Sequence, residues 1–189
     1  MLLLVAIGGV AFAVGQNPEE PIDRSLLEGE LEKDLSAAMY LVNGSFLEVK
    51  NCRIYQKTVP QLACANGGNT DFSEKLIDLR EVELIKEFSP TGRARLAFYF
   101  SEETASTRAD VKKILRSDET NDIKIARTLS LYQMKGITST KTYKQCDGAV
   151  LPSIGSPKDM SLFFPEGLDA EIVSKLSNLH DLCRSLDAY

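Results

Sequence analysis

The chain has 189 residues and a formal net charge of -5, from 22 Lys and Arg against 27 Asp and Glu, with charged residues making up 26% of the total. Both signs are interspersed, so there is no basic patch to neutralise phosphates and no polybasic run to hold an anionic membrane surface; nucleic acid is not expected as a partner. The length suits one domain with its own apolar core, and no internal repeat of about 20 to 50 residues is present.

The chain opens MLLLVAIGGVAFAVGQ. Leu2 to Val14 is an uncharged apolar run of roughly thirteen residues, the length of a signal-peptide core and short of the ~20 a membrane-spanning helix requires. Ala11-Phe12-Ala13 supplies the small-x-small pattern that precedes a signal-peptidase cut, and the polar stretch Gln16 to Pro21 holds the following chain extended. The expected organisation is residues 1-16 as a signal peptide or apolar anchor helix, followed by a single α+β domain over 17-189. No Lys or Arg precedes the apolar run, which keeps the anchor alternative open. The expected location is extracytoplasmic, secreted or periplasmic, with the membrane a partner only if residues 1-14 are retained.

Cys52, Cys64, Cys146 and Cys183 are an even set in a chain directed to an oxidising compartment, and are expected to form disulfides. Sequence leaves three connectivities open. The favoured one pairs Cys52 with Cys64 across a short loop and Cys146 with Cys183 between a strand region and the last helix. No C-x2-C pair occurs and the single histidine, His180, lies three residues before Cys183, so no metal site and no cofactor are expected.

In chain order, Pro21 to Val42 reads as a helix. Ser25 and Glu28 form a capping box, Leu27, Leu31, Leu35 and Ala38 share one face, and Asn43-Gly44 ends it. Asn43-Gly44-Ser45 is also an N-glycosylation sequon, which makes Asn43 a possible glycosylation site. Ser45 to Val59 alternates as one bent strand or two short ones, and Pro60 to Thr70 is a loop. Glu81 to Phe88 and Arg93 to Phe100 form a hairpin about Ser89-Pro90-Thr91-Gly92, with Glu81, Glu83 and Glu87 placed opposite Arg93 and Arg95.

Ser101 to Asn121 carries a helix of two or three turns around Val111, Ile114 and Leu115, capped at Thr107 or Asp110. Ile123 to Gln145 reads as a second strand pair that turns at Lys135-Gly136. Asp147 to Pro165 reads as a long irregular connection, in which Phe163 and Phe164 form a satellite core or an exposed contact patch. Leu168 to Leu186 is a C-terminal amphipathic helix with Asp169 as its cap and Cys183 on its apolar face. The expected fold class is therefore α+β: an antiparallel sheet of about five strands, in meanders or hairpins, packed against an N-terminal and a C-terminal amphipathic helix.

No GxGxxG, Walker loop or HExxH occurs, and His180 has no nucleophile at catalytic spacing. The expected function is a non-enzymatic, disulfide-stabilised extracytoplasmic binding module for an unspecified protein or small molecule. Asn66, Asn69, Asp71, Phe163 and Phe164 are its possible binding-loop residues. The order of elements up to about Val59, an apolar N-terminus, a helix after a proline break and then antiparallel strands, resembles the layout of pilin-like proteins. That resemblance implies, as the alternative, a membrane-anchored subunit of a surface filament or secretion apparatus; the family's processing site, a glycine before an aromatic residue with a glutamate shortly after, is absent. A third reading is an enzyme using the loop carboxylates Asp71, Asp118, Asp122 and Asp147.

Overall fold

The computed structural model describes residues 23-39, 41, 45-59, 72-89, 93-144, 150-152 and 159-186. Helix α1 spans Arg24–Ala38 and is followed by a hairpin of β1 (Phe46–Lys50) and β2 (Arg53–Thr58). Strand β3 (Phe72–Asp78) then runs through a single 3-10 turn, Leu79–Glu81, into a second hairpin of β4 (Val82–Phe88) and β5 (Ala94–Phe100). Helices α2 (Glu102–Leu115) and α3 (Asn121–Met134) lead to β6 (Thr140–Lys144), β7 (Val150–Pro152) and β8 (Asp159–Phe164), and α4 (Ala170–Leu186) closes the chain. One sheet has the order β1-β2-β3-β6-β7 and the other β4-β5-β8, with every pairing antiparallel. The fold is α+β, and the expected sheet of five strands and both terminal helices are present.

The first hairpin turns at Asn51 and Cys52, whose φ angles are +51° and +61°. Two left-handed residues in a two-residue loop match the twist of the flanking strands. Asn tolerates that conformation; a cysteine there is opposed by its Cβ at a cost of roughly 1 to 2 kcal/mol. Three tethers hold it: the Cys52 N–H donates to Glu28 Oε1 at 2.8 Å, the Cys52 carbonyl accepts from the Leu79 N–H at 2.9 Å, and the sulfur is bonded to Cys183 of α4. Glu32 of α1 also accepts the Val49 N–H, at 2.9 Å, on the edge strand β1. Carboxylates from α1 thus cover an exposed strand edge that would otherwise invite pairing with another chain.

One apolar cluster joins the layers. Leu31 and Leu35 of α1, Ile54 and Ile77 of the five-stranded sheet, Leu96, Phe98 and Leu162 of the three-stranded sheet, and Leu176, Leu179 and Cys183 of α4 are all fully buried. At about 25 cal/mol per Å² of apolar surface, each such side chain contributes roughly 1.5 to 3 kcal/mol. The C-terminal helix matches expectation, with Asp169 Oδ1 accepting from the Glu171 N–H at 2.9 Å.

Several elements differ from the sequence expectation. The disulfide joins Cys52 to Cys183, not Cys52 to Cys64 or Cys146 to Cys183, because the helix that buries Cys183 packs over the corner of the first hairpin. Cys64 and Cys146 lie outside the described residues. At the start of α1, Asp23 accepts from the Ser25 N–H, and Glu28 is drawn away from a capping box to the buried Cys52 amide. Residues 123-134 are helix, not strand. Ile123, Ile125, Leu129 and Leu131 alternate in sequence, but Thr120 precedes a full helical run and Gly136, at φ +64°, supplies its left-handed C-terminal residue. Helix α2 begins earlier than expected, at Glu102, with Ser101 accepting the Thr104 N–H.

In the β4–β5 hairpin a register shift between Val82 and Leu84 turns Leu84 and Phe88 outward. Arg95 then lies opposite Phe88 and stacks on its ring at 4.7 Å in place of the expected glutamates. The segment expected to be irregular contains β7 and β8, and β8 supplies Met160, Leu162 and Phe164 to the core.

The Cys52–Cys183 bridge spans 131 residues, for which the chain-entropy relation gives about 5 kcal/mol. The double substitution Cys52→Ala/Cys183→Ala is expected to lower unfolding free energy by about 2 to 5 kcal/mol in urea titrations under oxidising conditions.

Candidate ligand-binding site

Two groups of polar side chains lie between the sheets and differ in whether their charges are matched. The first centres on Asp78, at the end of β3 and 2% exposed. Its carboxylate accepts from Arg53 Nε at 2.9 Å, from Arg80 Nε at 2.7 Å and Nη2 at 2.6 Å, and from the Thr138 hydroxyl at 2.6 Å. Its backbone N–H donates to Ser139 Oγ at 2.8 Å. Glu81, just beyond, accepts from the Thr138 and Ser139 backbone N–H groups and from the Thr138 hydroxyl. Arg108 of α2 donates to the Ser139 carbonyl at 2.8 Å and stacks 4.3 Å from the centre of the Phe100 ring.

Burial alone would raise the Asp78 carboxyl; hydrogen bonds from Arg80, Thr138 and Arg53 outweigh it and hold the group down at about 2. Two guanidinium groups and a hydroxyl saturate this carboxylate. It is a joint that fixes β3, the 3-10 turn and the approach to β6.

The second group is built around Lys75, in the middle of β3. Lys75 lies opposite Gln56 of β2 and Lys141 of β6, and Gln56 lies opposite Leu47 of β1. Residues directly opposite one another share a face, so Leu47, Gln56, Lys75 and Lys141 form one row across the five-stranded sheet, on the face that carries Ile54 and Ile77. Lys75 Nζ donates to the Ser161 backbone carbonyl of β8 at 2.8 Å, tying the edge strand of the second sheet to the first, and lies 5.8 Å from the centre of the Phe163 ring. Lys141 Nζ lies 5.2 Å from the centre of the Tyr143 ring.

Burial, and then repulsion from Lys141, push the Lys75 ammonium down to about 8. Gln56 is 5% exposed and its Oε1 has no hydrogen-bond partner. Among the described residues, neither Lys75 nor Lys141 makes an ion pair with a carboxylate.

The contrast with Lys175 is instructive. A cleft of about 390 Å³ between α1 and α4 is lined by Asp34, Ala38, Ile172 and Lys175. There the ammonium is held by Asp34 at 2.8 Å, Glu171 at 3.0 Å and Glu30 at 3.6 Å, and Asp34 and Glu171 push it upward. That cation is matched by carboxylates, whereas Lys75 and Lys141, among the described residues, are not.

Of the residues singled out from sequence, Cys52 and Cys183 are bridged, and Asn43, Asn66, Asn69 and Asp71 lie outside the described residues, as does Asp147. Phe163 and Phe164 part company: Phe164 is 1% exposed in the core, and Phe163 is 61% exposed beside Lys75. Asp122 sits in the first turn of α3. His180 is a core residue whose Nε2 lies 2.8 Å from the Val82 carbonyl. Sequence reasoning missed Lys75, Lys141 and Gln56. The alternation Ser73, Lys75, Ile77 within FSEKLID was the available signal, masked by a lysine at a position that faces inward.

Comparison with known protein families, curated proteins and solved structures finds no match to this chain.

Because the folded-state value of Asp78 is depressed, its contribution is present above about pH 4 and is lost as pH falls through about 2; a shift from 3.8 to about 2 corresponds to roughly 2 kcal/mol. Between about pH 5 and pH 2 the wild type is expected to lose about 2 kcal/mol more than Asp78→Asn, measured by chemical denaturation across that range. Equal pH slopes would show that the carboxylate is not held by these partners.

Proposed function

We propose that this protein is a non-enzymatic, disulfide-stabilised extracytoplasmic binding module whose ligand face is the junction of β3, β6 and β8. The observation that carries the proposal is the Cys52–Cys183 bridge, fully buried at Cys183 and linking the first hairpin to the last helix. Such a cross-link persists in oxidising compartments, and cytosolic proteins seldom keep one. The apolar run Leu2 to Val14 supports the same location. No helix among the described residues is long and apolar enough to cross a membrane.

Binding without chemistry is favoured by how the titratable groups are used. Asp78 and Glu81 are committed to arginines, hydroxyls and backbone amides, and His180 to a backbone carbonyl. General acid–base catalysis needs a group free to exchange its proton with substrate. The row of Gln56, Lys75 and Lys141 beside the Phe163 ring instead offers charge, a carboxamide and an aromatic surface, the small number of convergent polar groups that fix a ligand.

Intact-mass measurement of the protein purified from its native host, before and after reduction, tests the location. The expected result is a start between Val14 and Asn17 and a gain of two hydrogens for each bridge on reduction. An uncleaved chain with free thiols overturns the proposal, and an uncleaved but bridged chain transfers support to the anchored, pilin-like subunit.

A further inference from the structure

Lys75 and Lys141 are directly opposite each other on adjacent strands, an arrangement that repels, and among the described residues neither is paired with a carboxylate. Lys75 is also partly withdrawn from water, which makes its charge more costly. Like charges directly opposite on a sheet are destabilising, and an anion within reach of both ammonium groups would relieve that repulsion. Next to them Gln56 holds a carboxamide almost completely buried with its oxygen unpartnered. A half-turn of that amide presents two N–H donors in place of the oxygen. On the far side, Phe163 is 61% exposed, on the face of β8 opposite to that of Leu162 and Phe164, which are in the core.

We infer that this row is a binding site for an organic carboxylate with a flat apolar body, the carboxylate seated between Lys75 and Lys141 within reach of the Gln56 amide and the body lying against the Phe163 ring. The inference rests on the binding-module reading and names its ligand class. A carboxylate suits the donors because its two oxygens accept from both ammonium groups at once. A bare inorganic anion would satisfy the lysines and leave Phe163 unused.

Bound anion requires Lys75 to be protonated, so affinity falls as pH rises through about 8. Among the described residues facing Lys75, Lys141 on β6 is the other cation; Gln56 on β2 and Ser161 and Phe163 on β8 carry no charge, and Tyr143 beside Lys141 contributes its ring.

The test is titration of the full disulfide-bonded protein with benzoate, acetate and inorganic phosphate, followed by amide chemical shifts. Benzoate is expected to move resonances of β3, β6 and β8 and to bind more tightly than acetate or phosphate. Lys75→Met and Lys141→Met keep the apolar stem and remove the charge; each is expected to weaken benzoate at least about tenfold, one charge-assisted hydrogen bond being worth ~1.5 to 3 kcal/mol. Phe163→Ala, an exposed position that leaves the core intact, is expected to weaken benzoate and leave acetate unchanged.

Unchanged benzoate affinity in Lys75→Met with native amide spectra overturns the site, as does phosphate binding as tightly as benzoate. A protein that is processed and bridged by mass yet ignores benzoate refutes the carboxylate assignment and leaves the module reading standing. An unprocessed, thiol-bearing protein that binds benzoate does the reverse.

Discussion

The corner at Cys52 is the constraint on which the rest of the structure depends. A cysteine in the left-handed region is locally unfavourable, and the turn persists because its amide, its carbonyl and its sulfur are each claimed by a different part of the chain. Glu28 brings α1, Leu79 brings the turn that passes from one sheet to the other, and Cys183 brings α4. Local strain is thereby exchanged for long-range order: three elements far apart in sequence share one point of attachment. The tertiary contacts that hold this corner also explain why Glu28, a helix-surface residue by pattern, is 5% exposed.

Charge is handled in two opposite ways within a few ångströms of β3. At Asp78 a buried carboxylate is matched by Arg53, Arg80 and Thr138, and the result is a rigid joint between the sheets. A buried ion pair adds little net stability over an apolar substitute, but removing one member leaves an unpaired charge and is costly, so such joints resist change. Three residues earlier, Lys75 has a carbonyl and a ring for company and another lysine across the ladder. The same strand therefore carries a carboxylate held by two guanidinium groups and a hydroxyl, and a lysine held by one carbonyl beside one ring.

Edge strands are managed by similar means. Glu32 accepts an amide of β1, and Lys75 donates to a carbonyl of β8, so side chains from neighbouring elements occupy backbone groups that would otherwise template association. On β4, the register shift turns Leu84 and Phe88 outward, where Arg95 covers one ring face. Each device uses a long charged side chain whose apolar stem packs while its tip bonds.

The elements that could be read from sequence are those whose period matches a single buried face. The C-terminal helix shows Ile172, Leu176, Leu179 and Cys183 at spacings of three and four, the β4–β5 hairpin shows two alternating runs around a proline turn, and the first hairpin alternates through Leu47, Val49 and Ile54. Fold class follows from these alone. Helix α3 was not legible because it is half-buried on a second layer: only Thr128 is fully covered, and its leucines and isoleucines fall into a false alternation. Strand β3 was not legible because its inward position 75 is a lysine.

The disulfide partner of Cys52 and the lysine row depend on strand order. A sheet that inserts β3 between β2 and β6 sets Gln56, Lys75 and Lys141 side by side although they are 19 to 85 residues apart in the chain. Local pattern specifies which residues turn inward. Which inward residues meet is decided by long-range pairing, whose energy comes from contacts that no local segment contains.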